Sequence, residues 1–266
     1  MPFVYFFIFL LSCTLGSIIG IGGSLIIRPS LDWIGYHGVG NIAFLTSVAN
    51  ICMASVSIYK KTKDGPKANS AKIDFAKAGL VGIGSLAGRV IGDQILRVPA
   101  ELFGDRNMQI AQTLTTILFL GLSIYFTEKC QLRYQIKNKA LYVLLGILLG
   151  MVAVFLGIGG GPLNVPVFMI LFSVPVKQAV NYSLAIMIFS HSSRLITMGF
   201  TGAAFGYMEF DWIFLPFIMP AAVLGGIIGA RLSKKMTDRL VKKMFSLAMF
   251  IIIGINLINL LRFLSA

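Results

Sequence analysis

The chain has 266 residues, of which 57% are hydrophobic and only 12% charged. A soluble domain carries about a quarter charged residues. Half that share cannot clothe a water-facing surface, which excludes an ordinary soluble enzyme, a disordered tail and a nucleic-acid module. The net charge of +13 comes from 23 Lys and Arg against 10 Asp and Glu. In so apolar a chain it reads first as topology, because basic residues collect in cytoplasmic loops.

In chain order, the N-terminal run MPFVYFFIFLLSCTLG is apolar and lacks a basic leader. It reads as a retained membrane segment, with no cleaved signal expected. It opens an apolar region, 3–36, broken by the glycine-rich GIGGS, Gly20 to Ser24. The apolar piece after the break is too short to span a bilayer comfortably. Spans of about 20 residues are expected at 39–59, 73–96 and 108–127, with a loop at 97–107. A second broken region, 140–174, carries GIGGG, Gly157 to Gly161. Further spans are expected at 177–199, 211–231 and 243–264. Cys13, Cys52 and Cys130 are too few and scattered for a disulfide framework, and no metal-ligand spacing occurs. The expectation is an all-α integral membrane protein, a polytopic helical bundle forming a single transmembrane domain over 1–266.

The breaks belong to an internal duplication. A shift of 137 residues superposes GIGGSLIIRPSL on GIGGGPLNVPVF, pairing Gly20 with Gly157 and Pro29 with Pro166. The same shift pairs Gly88 with Gly225 and Gly92 with Gly229. One register held this far points to repeats at 1–127 and 140–266. The segments 60–77, 128–139 and 231–243 hold sixteen of the 23 basic residues, whereas 200–210 holds none. The first three are expected in the cytoplasm and the last outside. The bias swaps between equivalent loops, so the repeats are expected to be inverted across the membrane. Each half then holds three full spans plus a glycine-broken, re-entrant helix. Four full spans per half, with parallel repeats, is the rival count.

Two inverted hairpins would bring their tips together near the midplane. The half-helices starting at Ser24 and Gly161 would present backbone N–H groups there, and a helix N-terminus suits an anion. Glycine admits close approach to the backbone, or simply permits a tight turn. The tip residues expected at a substrate site are Gly20, Gly22, Gly23 and Ser24 with Gly157, Gly159, Gly160 and Gly161. Polar groups at membrane depth are costly and tend to be functional. Thr46, Ser47 and Asn50 fall at mid-depth of one span, and Asn164 lies beside the second tip. Ser183, His191 and Arg194 fall along 177–199, and Arg28 one turn past the first tip. Thr46, Asn50, Asn164 and Ser183 are the expected side-chain donors; Thr and Ser also bond back to helix carbonyls. Arg28, Arg89, His191 and Arg194 form an expected basic vestibule in the outer half, opposed by Asp93 and Asp32. The four-residue steps Gly84/Gly88/Gly92, Gly225/Gly229, Gly16/Gly20 and Gly146/Gly150 read as close helix packing. No catalytic motif or nucleotide-binding loop occurs, so no enzyme is expected.

The duplicated GIGG(S/G)…P signature and the later GxxxG steps resemble the sulfite exporter TauE/SafE family over nearly the whole chain. The resemblance implies a multi-pass permease of the bacterial or archaeal inner membrane. It implies small sulfur-containing anions as substrates (sulfite, sulfoacetate and other organosulfonates), usually exported, and no cofactor. Ser24 and Leu25 stand where the second half has Gly161 and Pro162, which departs from exact symmetry of the tips. The functional expectation is secondary anion transport by alternating access. A passive anion channel and a non-transporting membrane scaffold are the alternatives. The coupling ion, proton or sodium, and homo-oligomerisation stay open, with His191 as the titratable candidate for a proton.

Overall fold

The computed structural model describes residues 2–63, 73–129, 134–135, 138–156, 161–205 and 211–265. Among these every regular element is helical: α1 Pro2–Ile19, α2 Ser24–Ile34, α3 Val39–Lys63, α4 Phe75–Glu128, α5 Lys139–Leu156, α6 Gly161–Leu171, α7 Val176–Phe205, a short 3-10 turn Trp212–Phe214, α8 Leu215–Lys235 and α9 Asp238–Ser265. The bounds recur at the 137-residue shift: α1 maps onto α5 and α2 onto α6 end for end, and α3 begins where α7 begins. Among the described residues seven helical stretches are long and apolar enough to cross a membrane: 2–19, 40–63, 75–95, 109–128, 139–156, 212–235 and 238–261.

The first break forms because glycine opens conformations that other residues avoid. Gly20 and Gly22 both have φ of 77°, in the left-handed region that costs an L-residue about 1–2 kcal/mol. The α2 that follows runs for 11 residues, about 16 Å, and stops at Gly35, whose φ of 69° and N–H bond to Leu31 O form a left-handed cap. Pro29 lies inside α2, and its equivalent Pro166 inside α6.

Aromatic clusters show where the chain turns. Tyr5, near the start of α1, meets the His37 ring at 5.4 Å just beyond α2, and both rings meet Phe214 just before α8. The starts of α1, α3 and α8 and the end of α2 therefore share one end of the bundle. Thus α1 and α2 return the chain to the side it left. At the other end Lys61 Nζ donates to Ser17 O at 2.8 Å and Lys234 Nζ to Lys60 O at 2.7 Å. Each ammonium reaches a last-turn carbonyl, where a helix leaves acceptors unused and favours a cation. The second half repeats the device at the lysine end. Tyr142, near the start of α5, meets Phe172 just past α6 at 5.4 Å, and Phe172 meets Tyr182 on α7. The Asp74 N–H donates to the Tyr182 hydroxyl at 3.0 Å, bringing the start of α4 to the same place. Lys61 and Lys177 are electrostatic neighbours, while Asn50 meets His191, so α3 and α7 run antiparallel.

The halves clasp each other through their glycine steps. A Cβ on Gly225 would meet Leu10 O at 2.8 Å, and one on Gly229 would meet Thr14 O at 2.5 Å. At the equivalent positions, Gly88 lies against Ile147 O and Gly92 against Met151. Thus α1 packs on α8 and α5 on α4 in one register, and glycine lets the backbones touch.

Two sequence expectations are corrected. Residues 97–107, read as a loop, are helical within α4. Ala100, Glu101 and Leu102 are strong helix formers, and the single Pro99 removes one N–H without ending the helix. Both ends of α4 still lie at the lysine end, because the Tyr134 N–H, shortly past its C-terminus, donates to Ile170 O at 2.7 Å. The helical path doubles back between its two spans. The second correction concerns α7, expected as the span 177–199, which is absent from the seven sufficiently apolar stretches. It carries Asn181, Ser183, Ser190, His191, Ser193 and Arg194. Residues 179–187 are all buried, so this stretch of the helix is clothed by protein, while Ile196 and Phe200 further along are exposed.

Candidate functional site

The two breaks meet. Gly161, the first residue of α6, lies against the backbone of Ile21, between Gly20 and Gly22. Around that contact the first tip is held by side chains from α3 and α7. Ser183 Oγ donates to Gly20 O at 2.6 Å. The Gly23 N–H donates to Asn50 Oδ1 at 2.8 Å. The Met187 thioether closes over Gly22, and Val180 over Gly20. Irregular backbone at membrane depth must be satisfied by protein, and Ser183 and Asn50 supply an acceptor's donor and a donor's acceptor. The positive φ of Gly20 and Gly22 and the tight contact of Gly161 account for these glycines by conformation and packing.

Behind Asn50 stands His191, 1% exposed. Its Nε2 lies 3.3 Å from Asn50 Nδ2 and its Nδ1 3.2 Å from Ser47 Oγ. The Ser47 hydroxyl donates to Ala43 O at 2.7 Å. Thr46, expected as a substrate donor, bonds back to Ile42 O and Ala43 O of its own helix. The donors of Thr46 and Ser183 are thus committed to backbone, and Asn50 joins the tip to His191. Asn164 is buried, and its amide oxygen has no hydrogen-bond partner among the described residues. Gly157, Gly159 and Gly160 lie outside the described residues. Among the described residues no group of three or more His, Cys, Asp or Glu is placed to hold a metal.

The basic residues of 28, 89 and 194 come together from three helices. Arg194 is in electrostatic reach of Arg89, Arg28 and Asp93, and His191 of Arg194 and Arg89. Arg89 is buried and its Nε has no hydrogen-bond partner among the described residues. Arg28 lies 3.9 Å from Asp32, an i,i+4 pair that is 40% and 50% exposed.

A cavity of about 1100 Å³ reaches Ser24 and Arg28 from the Tyr5 end, past Val4 and Trp33, and touches Leu156 at the end of α5. Its far wall is polar. Gln109, Gln112, Thr113 and Thr116 line it from α4, and Asn256 and Asn259 from α9. None of these six is among the residues expected at the site, because 108–127 and 243–264 stand out in the sequence as apolar runs. Their signal is the spacing: positions 109, 112, 113 and 116 fall on one helical face.

The sequence model described as "Sulfite exporter TauE/SafE" matches residues 5–257. The chain belongs to this family. A relative from Bacillus subtilis (strain 168), described as "Probable membrane transporter protein YunE", is 26% identical over 277 residues, covering 94% of each chain. No solved structure matches. TauE/SafE proteins are membrane transporters and not enzymes. Membership and the apolar helices make this chain a multi-pass membrane transporter with a small-molecule substrate.

Proposed function

We propose that the protein is a secondary transporter of small anions, sulfite or an organosulfonate, that exports its substrate by alternating access. The observation that carries this reading is the contact between the two glycine breaks, Gly161 on Ile21. It joins the start of α6 to the break that precedes α2, and the cavity that Arg28 lines reaches Ser24 and Leu25, the first residues of α2. Helix N-termini attract anions, and Arg28, Arg89 and Arg194 add fixed positive charge beside them. In this reading the halves are inverted across the membrane and rock about the paired tips. The antiparallel run of α3 and α7, and the two hairpins entered from opposite ends, support it. The lysine end is cytoplasmic by the positive-inside rule, so the cavity opens outward.

Purified protein in liposomes, loaded in turn with sulfite, organosulfonates, thiosulfate, sulfate and carboxylates, tests the reading. Saturable flux of a sulfur oxyanion, driven uphill by a proton or sodium gradient, is the expected result. Non-saturable flux that only dissipates gradients would mean a channel, and no flux of any anion would mean a scaffold.

A further inference from the structure

The Gly23 N–H fixes the protons along a chain of contacts that crosses from the hairpin tip to α3 and α7. An N–H can only donate, so the Asn50 atom 2.8 Å away is the amide oxygen. The Asn50 NH2 group then faces His191 Nε2 at 3.3 Å and donates to it. An accepting Nε2 bears no proton, so the neutral ring carries its proton on Nδ1. That Nδ1–H donates to Ser47 Oγ, whose own hydroxyl donates to Ala43 O. Asn50, Ser47 and His191 are all buried, and each of these links is made to a protein partner. Only a neutral His191 satisfies every link.

A proton added at Nε2 would set an N–H against the Asn50 NH2. Turning the amide satisfies the ring but aims its NH2 at the Gly23 N–H, which is also a donor. The unturned amide is left with two donors opposed at His191, so the clash favours the turned one, in which Gly23 loses its acceptor and a backbone N–H at the tip becomes free for another. We propose that His191 is the proton-coupling residue of this transporter. Its protonation withdraws Asn50 from Gly23 and opens the tip to the anion, so that one proton and one anion bind and cross together, outward where the anion gradient exceeds the inward proton gradient. The inference rests on the anion-transport reading above. His191 acts through Asn50 and is a positioning residue.

The charges facing the ring reinforce the coupling. Arg194 on its own helix and Arg89 on α4 both repel a positive ring. Asp93 on α4 and Arg28 on α2 act on Arg194 in opposite senses. On α3 the facing groups, Ser47 and Asn50, are neutral. An anion among the arginines offsets their repulsion, so the proton is held best when the anion is present.

The test uses purified full-length protein, weakly buffered, titrated with methanesulfonate or thiosulfate across about pH 5 to 8, where histidine titrates. Both anions stay ionised there, so any proton taken up belongs to the protein. The wild type should take up close to one proton per anion bound, with affinity rising up to about tenfold per unit fall in pH. His191→Gln should bind with no proton uptake and a flat pH profile, its folding checked by size-exclusion chromatography. Binding without proton uptake by the wild type overturns the proposal, whatever becomes of the variant. Equal uptake by wild type and H191Q also overturns it. A wild type that binds and moves none of the anions overturns the transport reading itself.

Discussion

Gly161 has no room for a side chain beside Ile21: a Cβ on it would stand 2.5 Å from Ile21 O and 2.7 Å from Ile21 Cα. Both obstacles are backbone, so relief requires moving a hairpin. Gly161→Ala should cost about 1–3 kcal/mol, the usual range for overpacking a tight interior, and should lower transport by separating the tips. Gly121, with nothing within 4 Å, is the control. Gly121→Ala should leave transport intact and stabilise its helix by about 0.5–1 kcal/mol. Thermal midpoints in detergent, read beside flux, check both. A G161A protein as stable and active as wild type would remove the contact from the mechanism.

Ser183 is the one described side chain that donates to Gly20 O, and it is fully buried. Ser183→Ala leaves that carbonyl without a donor in a place water does not reach. An unsatisfied buried acceptor costs about 1–3 kcal/mol, so the midpoint should fall and flux with it. Ser183→Thr keeps the hydroxyl and should recover part of the loss. If S183A unfolds at the wild-type temperature, the bond does not hold the tip.

These two sites mark how far the sequence could be read. The breaks at GIGGS and before Gly161 are where α1 gives way to α2 and where α6 begins; at the first, glycine adopts the φ of 77° of Gly20 and Gly22 without the cost other residues bear. The helical steps of Gly88 and Gly225 likewise announced backbone contact. Asn50 was visible as a polar residue at mid-depth, but its bond to Gly23 joins positions far apart in the chain and depends on packing. Thr46 looked the same in sequence and turned out to serve its own helix. The continuity of α4 through 97–107 was hidden because Pro99 and flanking charges resemble a loop. The polar stripe from Gln109 to Thr116 was legible by its spacing, since four polar residues on one face of an apolar helix need a wet or buried neighbour.

Arg28 and Arg194 reach the same region from α2 and α7, and only Arg28 lines the cavity. A basic vestibule raises the local concentration of anions, and the effect is screened by salt. Neutralising both, Arg28→Gln with Arg194→Gln, should lower transport efficiency on the order of tenfold at low ionic strength. The loss should appear mainly as a raised KM, and rising salt should narrow the gap from wild type. Flux measured against substrate concentration at two salt concentrations reads this. Normal kinetics at normal expression would assign these arginines a structural role.

Tyr36 and Ser173 occupy equivalent positions just past α2 and α6 under the 137-residue shift. Parallel halves would put them on the same face of the membrane, and inverted halves on opposite faces. Tyr36 sits among the rings at the Tyr5 end, whereas Ser173 follows Phe172, which meets Tyr142 and Tyr182 at the lysine end. In a background with Cys13, Cys52 and Cys130 replaced by serine, Tyr36→Cys should react with a membrane-impermeant maleimide added to intact cells. Ser173→Cys should react only after the membrane is opened. Thr237→Cys, between α8 and α9 at the same end as Lys234 and Lys235, should follow Ser173. Labelling of both Tyr36→Cys and Ser173→Cys from outside would sink the inverted arrangement, and with it the rocking of two opposed halves about the tips.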